Sequence, residues 1–175
     1  MAESTRKRRV PRAPPPTSEG ASAAMRGNKK TDTKPELIVR RLLHKLGYRF
    51  RLHARDLPGN PDIVFRSWKI AIFVHGCFWH QHSDPNCPLR SEPRSNTLYW
   101  KAKLARNVER DAETSKKLKK AGWKCLVVWE CETQDTEALR SRLLASRPLI
   151  DAAVLRASGA LEAPKGSGKT ATKPS

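Results

Sequence analysis

The stretch IAIFVHGCFWHQHSDPNC, residues 70–87, decides how the chain is read. Ile70 to Val74 is an apolar run of the length expected for a buried strand. It stops at His75, Gly76 and Cys77, and is followed by Phe78, Trp79, His80, His82 and Cys87. A strand with these residues at its end brings thiols, imidazoles and aromatic rings to one edge of a sheet, and the chemistry is expected there.

Downstream, Leu98, Lys101, Leu104, Val108, Ser115 and Leu118 recur at helical spacing, which predicts a long helix over about 96–121, ended by Gly122. Lys124 to Trp129 reads as a continuously apolar strand. That pattern predicts burial on both faces and a parallel neighbour reached over the helix. Thr136 to Leu144 predicts a closing helix. Upstream, Asp62 to Phe65 is a second short strand. Only Arg66 to Lys69 separates it from Ile70, so the two are expected to pair as an antiparallel hairpin. Leu57-Pro-Gly-Asn-Pro61 reads as a turn and Tyr48 to His53 as the first strand. A helix over about 34–46 is marked by Thr33 as N-cap, Pro35 in the first turn, Glu36 at the capping-box position and Gly47 beyond its end. The order is α-β-β-β-α-β-α, an α/β fold with a mixed sheet flanked by helices.

The 175 residues have room for one domain, expected over 25–157. Residues 1–24 are rich in Arg, Pro, Ala and Ser and predict a disordered basic arm, with Met25 as a second plausible start. Residues 158–175 read as a disordered tail. Their GSGKT string at 166–170 resembles a phosphate loop, but Ala163 stands where the first glycine is needed and no strand precedes it. Lys and Arg outnumber Asp and Glu by 35 to 17, a formal charge of +18. Within residues 36–150 there are 22 basic and 12 acidic side chains, so the excess is not confined to the ends. A domain that tolerates this self-repulsion is suited to nucleic acid, where it displaces condensed counterions. No run approaches the ~18 apolar residues of a membrane span. The four cysteines, without a secretory signal, suggest metal in a reducing, cytoplasmic setting rather than disulfides.

Cys77, His82, Cys87 and Cys131 form a donor set suited to tetrahedral zinc with no open position, hence a structural site. Cys131 lies just beyond the strand Lys124 to Trp129, so a parallel pairing with Ile70 to Val74 would bring it to the same edge. Cys125, inside that strand, reads as a core residue. Asp62, at a strand start, is a natural Mg²⁺ ligand. His75 and His80 remain once zinc takes His82, and a neutral imidazole can deprotonate water for attack on phosphorus. Phe78 and Trp79 are paired on a loop and Tyr99-Trp100 repeats the pattern. Among Arg90, Arg94, Lys101, Lys103, Arg106 and Arg110, such rings can wedge into or stack on bases. One of Tyr99 and Trp100 is expected to belong to the core.

Four segments, LPGNPDIVF (57–65), FVHGCFWHQH (73–82), RSEPRSNTLYWKAKLARNVERD (90–111) and GWKCLVVWECE (122–132), closely resemble the very short patch repair (Vsr) endonucleases. DTKPELIVRRLLHKLGYRFRLH (32–53) is similar to their leading helix and strand, and the resemblance spans roughly residues 25–145. It implies a restriction-endonuclease-like fold and a strand-nicking repair enzyme acting on double-stranded DNA. The lesion is the T:G mismatch left when 5-methylcytosine deaminates, with the cut 5′ to the T. The resemblance assigns Mg²⁺ to Asp62, the base to His80, supporting roles to His75 and Glu36, and structural Zn²⁺ to Cys77, His82, Cys87 and Cys131. It makes Phe78, Trp79 and Trp100 the intercalating rings, and gives Asn107 and Asp111 no definite role. It further implies a monomer, a functional link to a DNA cytosine methyltransferase and repair machinery, and a bacterial-type cytoplasmic, nucleoid-associated location.

The departures are small. Gln81 replaces a histidine, four residues separate His82 from Cys87, and Val74 stands where threonine occurs. The carboxylate-x-lysine of many restriction nucleases is missing from Ile70 to Val74, which favours a histidine base. The alternatives are a related nuclease with another mismatch or an unmodified site, and a zinc-stabilised protein that binds lesions without cutting.

Overall fold

The computed structural model describes residues 12–15, 19, 29 and 31–146. Most of the basic arm, Met25, the tail and the GSGKT string lie outside the described residues. Among those described, the chain runs α1 (Lys34–Lys45), β1 (Arg51–Leu52), β2 (Ile63–Phe65), β3 (Ile70–His75), α2 (Thr97–Lys120), β4 (Lys124–Trp129) and α3 (Thr136–Ala145). Short 3₁₀ turns follow β2 (Arg66–Trp68) and β4 (Glu130–Gln134).

The strands form one sheet in the order β1-β2-β3-β4. The expected hairpin is present, with Ile63 opposite Ile72 and Phe65 opposite Ile70 in antiparallel register. β4 runs parallel to β3, from Ile70 beside Lys124 to His75 beside Trp129. One face of the sheet supplies Ile63, Phe65, Ile70, Ile72 and Val128 to a core completed by Val39, Leu42 and Leu43 of α1 and Leu139 and Leu143 of α3. α2 packs on β4 and buries Leu104 and Leu118. Burial of these aliphatic side chains stabilises by roughly 1.5–3 kcal/mol each, which is what holds the site's framework in place.

Two expectations are corrected. Tyr48 to His53 is not a strand throughout, because only Arg51 and Leu52 pair with β2. Tyr48 and Phe50 are instead drawn into an aromatic cluster: Tyr48 meets Phe65 at 5.7 Å and Trp68 at 6.2 Å, and Phe50 meets Phe65 at 6.0 Å. His53, at φ 47°, ends the strand. β4 is not buried on both faces. It is a sheet edge, and Val128 alone of its six residues is buried.

At the start of α1, Thr33 Oγ1 accepts the Glu36 N–H as expected of an N-cap. The Glu36 carboxylate reaches back one residue further than a capping box does, accepting the Asp32 N–H at 3.0 Å and the Thr33 hydroxyl at 2.8 Å. None of the described helices is long and apolar enough to cross a membrane.

Gly59 fixes how the turn before Asp62 meets α2. Its φ is +76°, and a Cβ there would lie 2.3 Å from Thr114 Cγ2. Both the left-handed backbone and the contact exclude other residues. Gly59→Ala is expected to destabilise by about 2–5 kcal/mol, combining backbone strain with overpacking. Adding Thr114→Ser should recover the steric part only. Denaturant melts of the three proteins check this, and a Gly59→Ala protein as stable as wild type would contradict it.

Candidate active site and metal centre

The parallel register explains how the distant ligand reaches the others. His75 and Trp129 are paired at the ends of β3 and β4, and Cys77 and Cys131 each follow two residues later. With His82 and Cys87 they place their donor atoms all within 4.8 Å of one another. The Cys131 N–H points at Cys77 Sγ (3.4 Å), and Cys131 Sγ lies 3.7 Å from His82 Nδ1. Four donors on a tetrahedral ion with ~2.3 Å bonds stand about 3.8 Å apart, so the set has the right size for a metal. Burial pushes the Cys77 thiol up, to about 12. At Cys87 burial acts the same way but is outweighed by hydrogen bonds from His82, the Leu89 backbone and the neighbouring thiols, which bring it down to about 7. Thiols packed this closely cannot all ionise without a cation among them, and the donor chemistry therefore fits a metal ion. Cys125 is not part of the group.

The second group lies on the same sheet edge. Asp62, just before β2, accepts the Val74 N–H of β3 on Oδ2 at 2.7 Å; Oδ1 accepts no hydrogen bond among the described residues. Burial raises its carboxyl to about 6, with the nearby negative charge of Glu36 acting in the same direction. A part-buried carboxylate with an open oxygen suits a hard cation. His75, the residue after Val74, stacks on His80 with ring centroids 3.9 Å apart and planes 10° apart. Burial, and then the charge of His80, hold His75 down to about 4, so it is neutral at neutral pH.

Asp111, to which, as to Asn107, the sequence assigns no role, belongs to this group. From the middle of α2 it takes His80 Nδ1 at 2.5 Å. Burial would raise its carboxyl, but the His80 bond and the charges of His80, His75 and Arg110 outweigh this and hold it low. An ionised carboxylate on Nδ1 selects the tautomer with its proton there and leaves Nε2 as the base. A signal was available, because Trp100, Lys103, Asn107 and Asp111 fall at three- and four-residue steps along one helix face.

The same face organises the aromatic group. Phe78, Trp79, Tyr99 and Trp100 form one half-buried cluster, with Phe78 at 5.0 Å from Trp79 and 5.5 Å from Trp100, and Tyr99 at 5.3 Å from Trp100. Neither Tyr99 nor Trp100 is a core residue, which corrects that expectation. Lys103 Nζ lies over Trp100, Trp79 and Tyr99 at 4.9, 5.3 and 5.4 Å, a cation–π arrangement. Asn107 Nδ2 donates to the Trp79 carbonyl at 3.0 Å and ties the loop to α2. Arg106, also on α2, lies 3.9 Å from Glu109. Glu36, almost fully buried in the first turn of α1, is ion-paired to Arg40 at 2.7 Å rather than open to solvent.

Burial of Asp62 has a measurable consequence in the zinc-loaded protein without Mg²⁺ or chelator. The folded carboxyl keeps its proton to about pH 6 and an unfolded one releases it near 3.8. The site therefore costs nothing below 3.8, and stability falls as pH rises through about 6. Asp62→Asn is expected to stabilise the protein at pH 7–8 by up to about 3 kcal/mol, with the gain vanishing toward pH 4. Melts across that range test it, and a gain independent of pH would contradict it.

Comparison with known proteins finds sequences similar to this chain. Residues 16–86 match the family described as DNA mismatch endonuclease Vsr. The chain is 50% identical over 112 residues to the type II nicking enzyme V.XorIIP of Xanthomonas oryzae pv. oryzae, covering 64% of this chain and 80% of that protein. It is 43% identical over 112 residues to the nicking enzyme V.NmeAIP of Neisseria meningitidis, covering 64% and 78%. It is 39% identical over 126 residues to the DNA mismatch endonuclease Vsr of Escherichia coli, covering 72% and 79%.

Proposed function

The chain belongs to the Vsr family of DNA mismatch endonucleases, and from that premise we propose that it nicks one strand of duplex DNA 5′ to the T of a T:G mismatch. Such mismatches arise when 5-methylcytosine deaminates, so its work is linked to a cytosine methyltransferase and to repair synthesis, in the cytoplasm and at the nucleoid. The protein acts as a monomer with a restriction-endonuclease-like fold.

The observation that carries this reading is the His80–Asp111 pair beside His75 and Asp62 on one sheet edge. Asp62 would hold Mg²⁺, which supplies neutralisation of charge on the scissile phosphate when bound. His80 Nε2 takes the proton from water as its oxygen attacks phosphorus; the bond from phosphorus to one flanking sugar oxygen breaks, that oxygen leaves and takes a proton from solvent, and Asp111 stabilises the imidazolium formed on His80. His75, kept neutral by burial, orients the His80 ring by stacking without adding a competing positive charge. Glu36 adds negative charge beside Asp62 and favours a cation there. Cys77, His82, Cys87 and Cys131 hold structural Zn²⁺ and staple the ends of β3 and β4.

Phe78, Trp79 and Trp100 serve as the wedge. Opening a stack costs a few kcal/mol per step and less at a mismatch, so wedging is itself selective. Lys103 and Arg106 supply positive charge toward the DNA backbone and bases. Equilibrium binding in EDTA separates recognition from cutting. Quenching of tryptophan fluorescence is expected at lower protein concentration with a T:G duplex than with the matched T:A duplex, and Trp79→Ala should shrink the difference. Equal affinity for the two duplexes would remove the mismatch from the reading.

A further inference from the structure

Among the described strands β4 has one neighbour, β3, so one side of its backbone faces outward. The Lys124 N–H bonds inward, to the Lys69 carbonyl at 2.7 Å. Backbone groups alternate in direction along a strand, so those of residues 125, 127 and 129 point away from β3. Side chains take two of these outward groups. Arg142 of α3 donates from Nη2 to the Val127 carbonyl at 2.8 Å. Glu132, in the 3₁₀ turn after β4, accepts the Trp129 N–H on Oε2 at 2.7 Å. Its other oxygen, Oε1, lies 2.8 Å from Arg142 Nε, so donor and acceptor form one bridged unit.

A further parallel strand would set one residue opposite Val128, with its N–H on the Val127 carbonyl and its C=O on the Trp129 N–H. The Arg142–Glu132 pair supplies that same donor and acceptor from side chains. It imitates one residue of a missing strand. The pair is part-exposed, at 40% and 22%, and ion pairs in water contribute little to stability. Its place on the strand edge is therefore what singles it out.

A bare strand edge pairs with other strands, and charged side chains set on the edge are one way monomeric proteins prevent it. Two copies of β4 meeting about a two-fold axis would run antiparallel and satisfy each other with the same groups. Such pairing would also cover Leu126 and Val127, which are only half-buried.

We propose that the Arg142–Glu132 pair is a cover over the outer edge of β4, and that the edge beneath it is a self-complementary surface whose partner is a second copy of this chain. Of the reading above, the inference uses only the single-copy state. A plain surface ion pair, once removed, would leave the chain a monomer.

The test is sedimentation velocity of the full-length, zinc-loaded chain over a range of concentrations. Wild type is expected to sediment as one chain throughout. Arg142→Met and Glu132→Ala are expected to shift from one chain to two as concentration rises. Adding Val127→Pro, which removes an outward N–H from an edge where proline is tolerated, should return either variant to one chain. Variants that keep zinc and a cooperative melt yet stay single would overturn the proposal, and so would pairing that survives Val127→Pro. A further readout needs no variant to fold: the wild-type Trp129 amide should exchange its hydrogen slowly, as a ladder amide does, and exchange at the rate of an open chain would overturn the cover. Wild type sedimenting as two chains would overturn the single-copy state itself, and this inference with it.

Discussion

His80→Ala is expected to bind a T:G duplex as wild type does and to nick it about 10²–10⁴-fold more slowly, the range a positioned general base contributes. Geometry argues for so large an effect. His80 is held from two sides, by the Asp111 carboxylate on Nδ1 and by the His75 ring against its face, and neither contact involves Nε2. The backbone of the loop is separately fixed, by the His80 N–H to the Gly76 carbonyl at 3.1 Å and by Asn107 to the Trp79 carbonyl. Truncating the imidazole therefore leaves the wedge where it is. Asp111→Asn should give a smaller loss of the same kind, because the amide no longer selects the tautomer or stabilises the imidazolium. Single-turnover nicking at saturating protein, beside binding in EDTA, separates the two effects. Wild-type nicking by His80→Ala would assign the base elsewhere.

Cys131→Ser is expected to lose the metal and, with it, the cooperative fold. Structural zinc contributes an apparent ~10–16 kcal/mol in small zinc domains, comparable with the ~5–15 kcal/mol of net stability a domain has. Here Cys77 and Cys131 continue directly from the paired ends of β3 and β4, so the ion would close the edge that carries His75 and His80. β4 is at the sheet edge and only Val128 in it is buried, which leaves the strand dependent on that closure. The prediction is a broad, low melt for Cys131→Ser and for wild type unfolded in chelator and refolded without zinc. Cys125→Ser should melt as wild type, since Cys125 lies outside the cluster. Stripped protein with an unchanged melting temperature would remove the structural role from the metal.

Much of the frame was legible because local pattern and tertiary demand agreed. Lys124 to Trp129 has no breaker and a glycine before it, and Arg66 to Lys69 is too short to do anything but turn the chain back. The metal cluster was readable because thiols and imidazoles at one strand end have few other uses. Tyr48 to His53 misled because alternating large residues look like a strand, whereas here Tyr48 and Phe50 are held by Phe65 and Trp68 from β2 and the turn after it. Asp111 was not assigned for a different reason. It stands in a charged helix among other charges, and its partner, His80, is distant in sequence. Charge patterning along a helix says which side is wet. It does not say which of those charges the fold will bury against a catalytic edge.

The central claim is that one sheet edge cuts DNA only where a T:G pair lets the aromatic wedge in. Its most direct test compares labelled duplexes that differ only in a T:G or T:A pair within a cytosine-methyltransferase site, each with Mg²⁺ and with EDTA. The account predicts a nick in the T strand alone, 5′ to the T, at the mismatch alone and with Mg²⁺ alone. Cutting of the T:A duplex at the same rate, or cutting in EDTA, would contradict it.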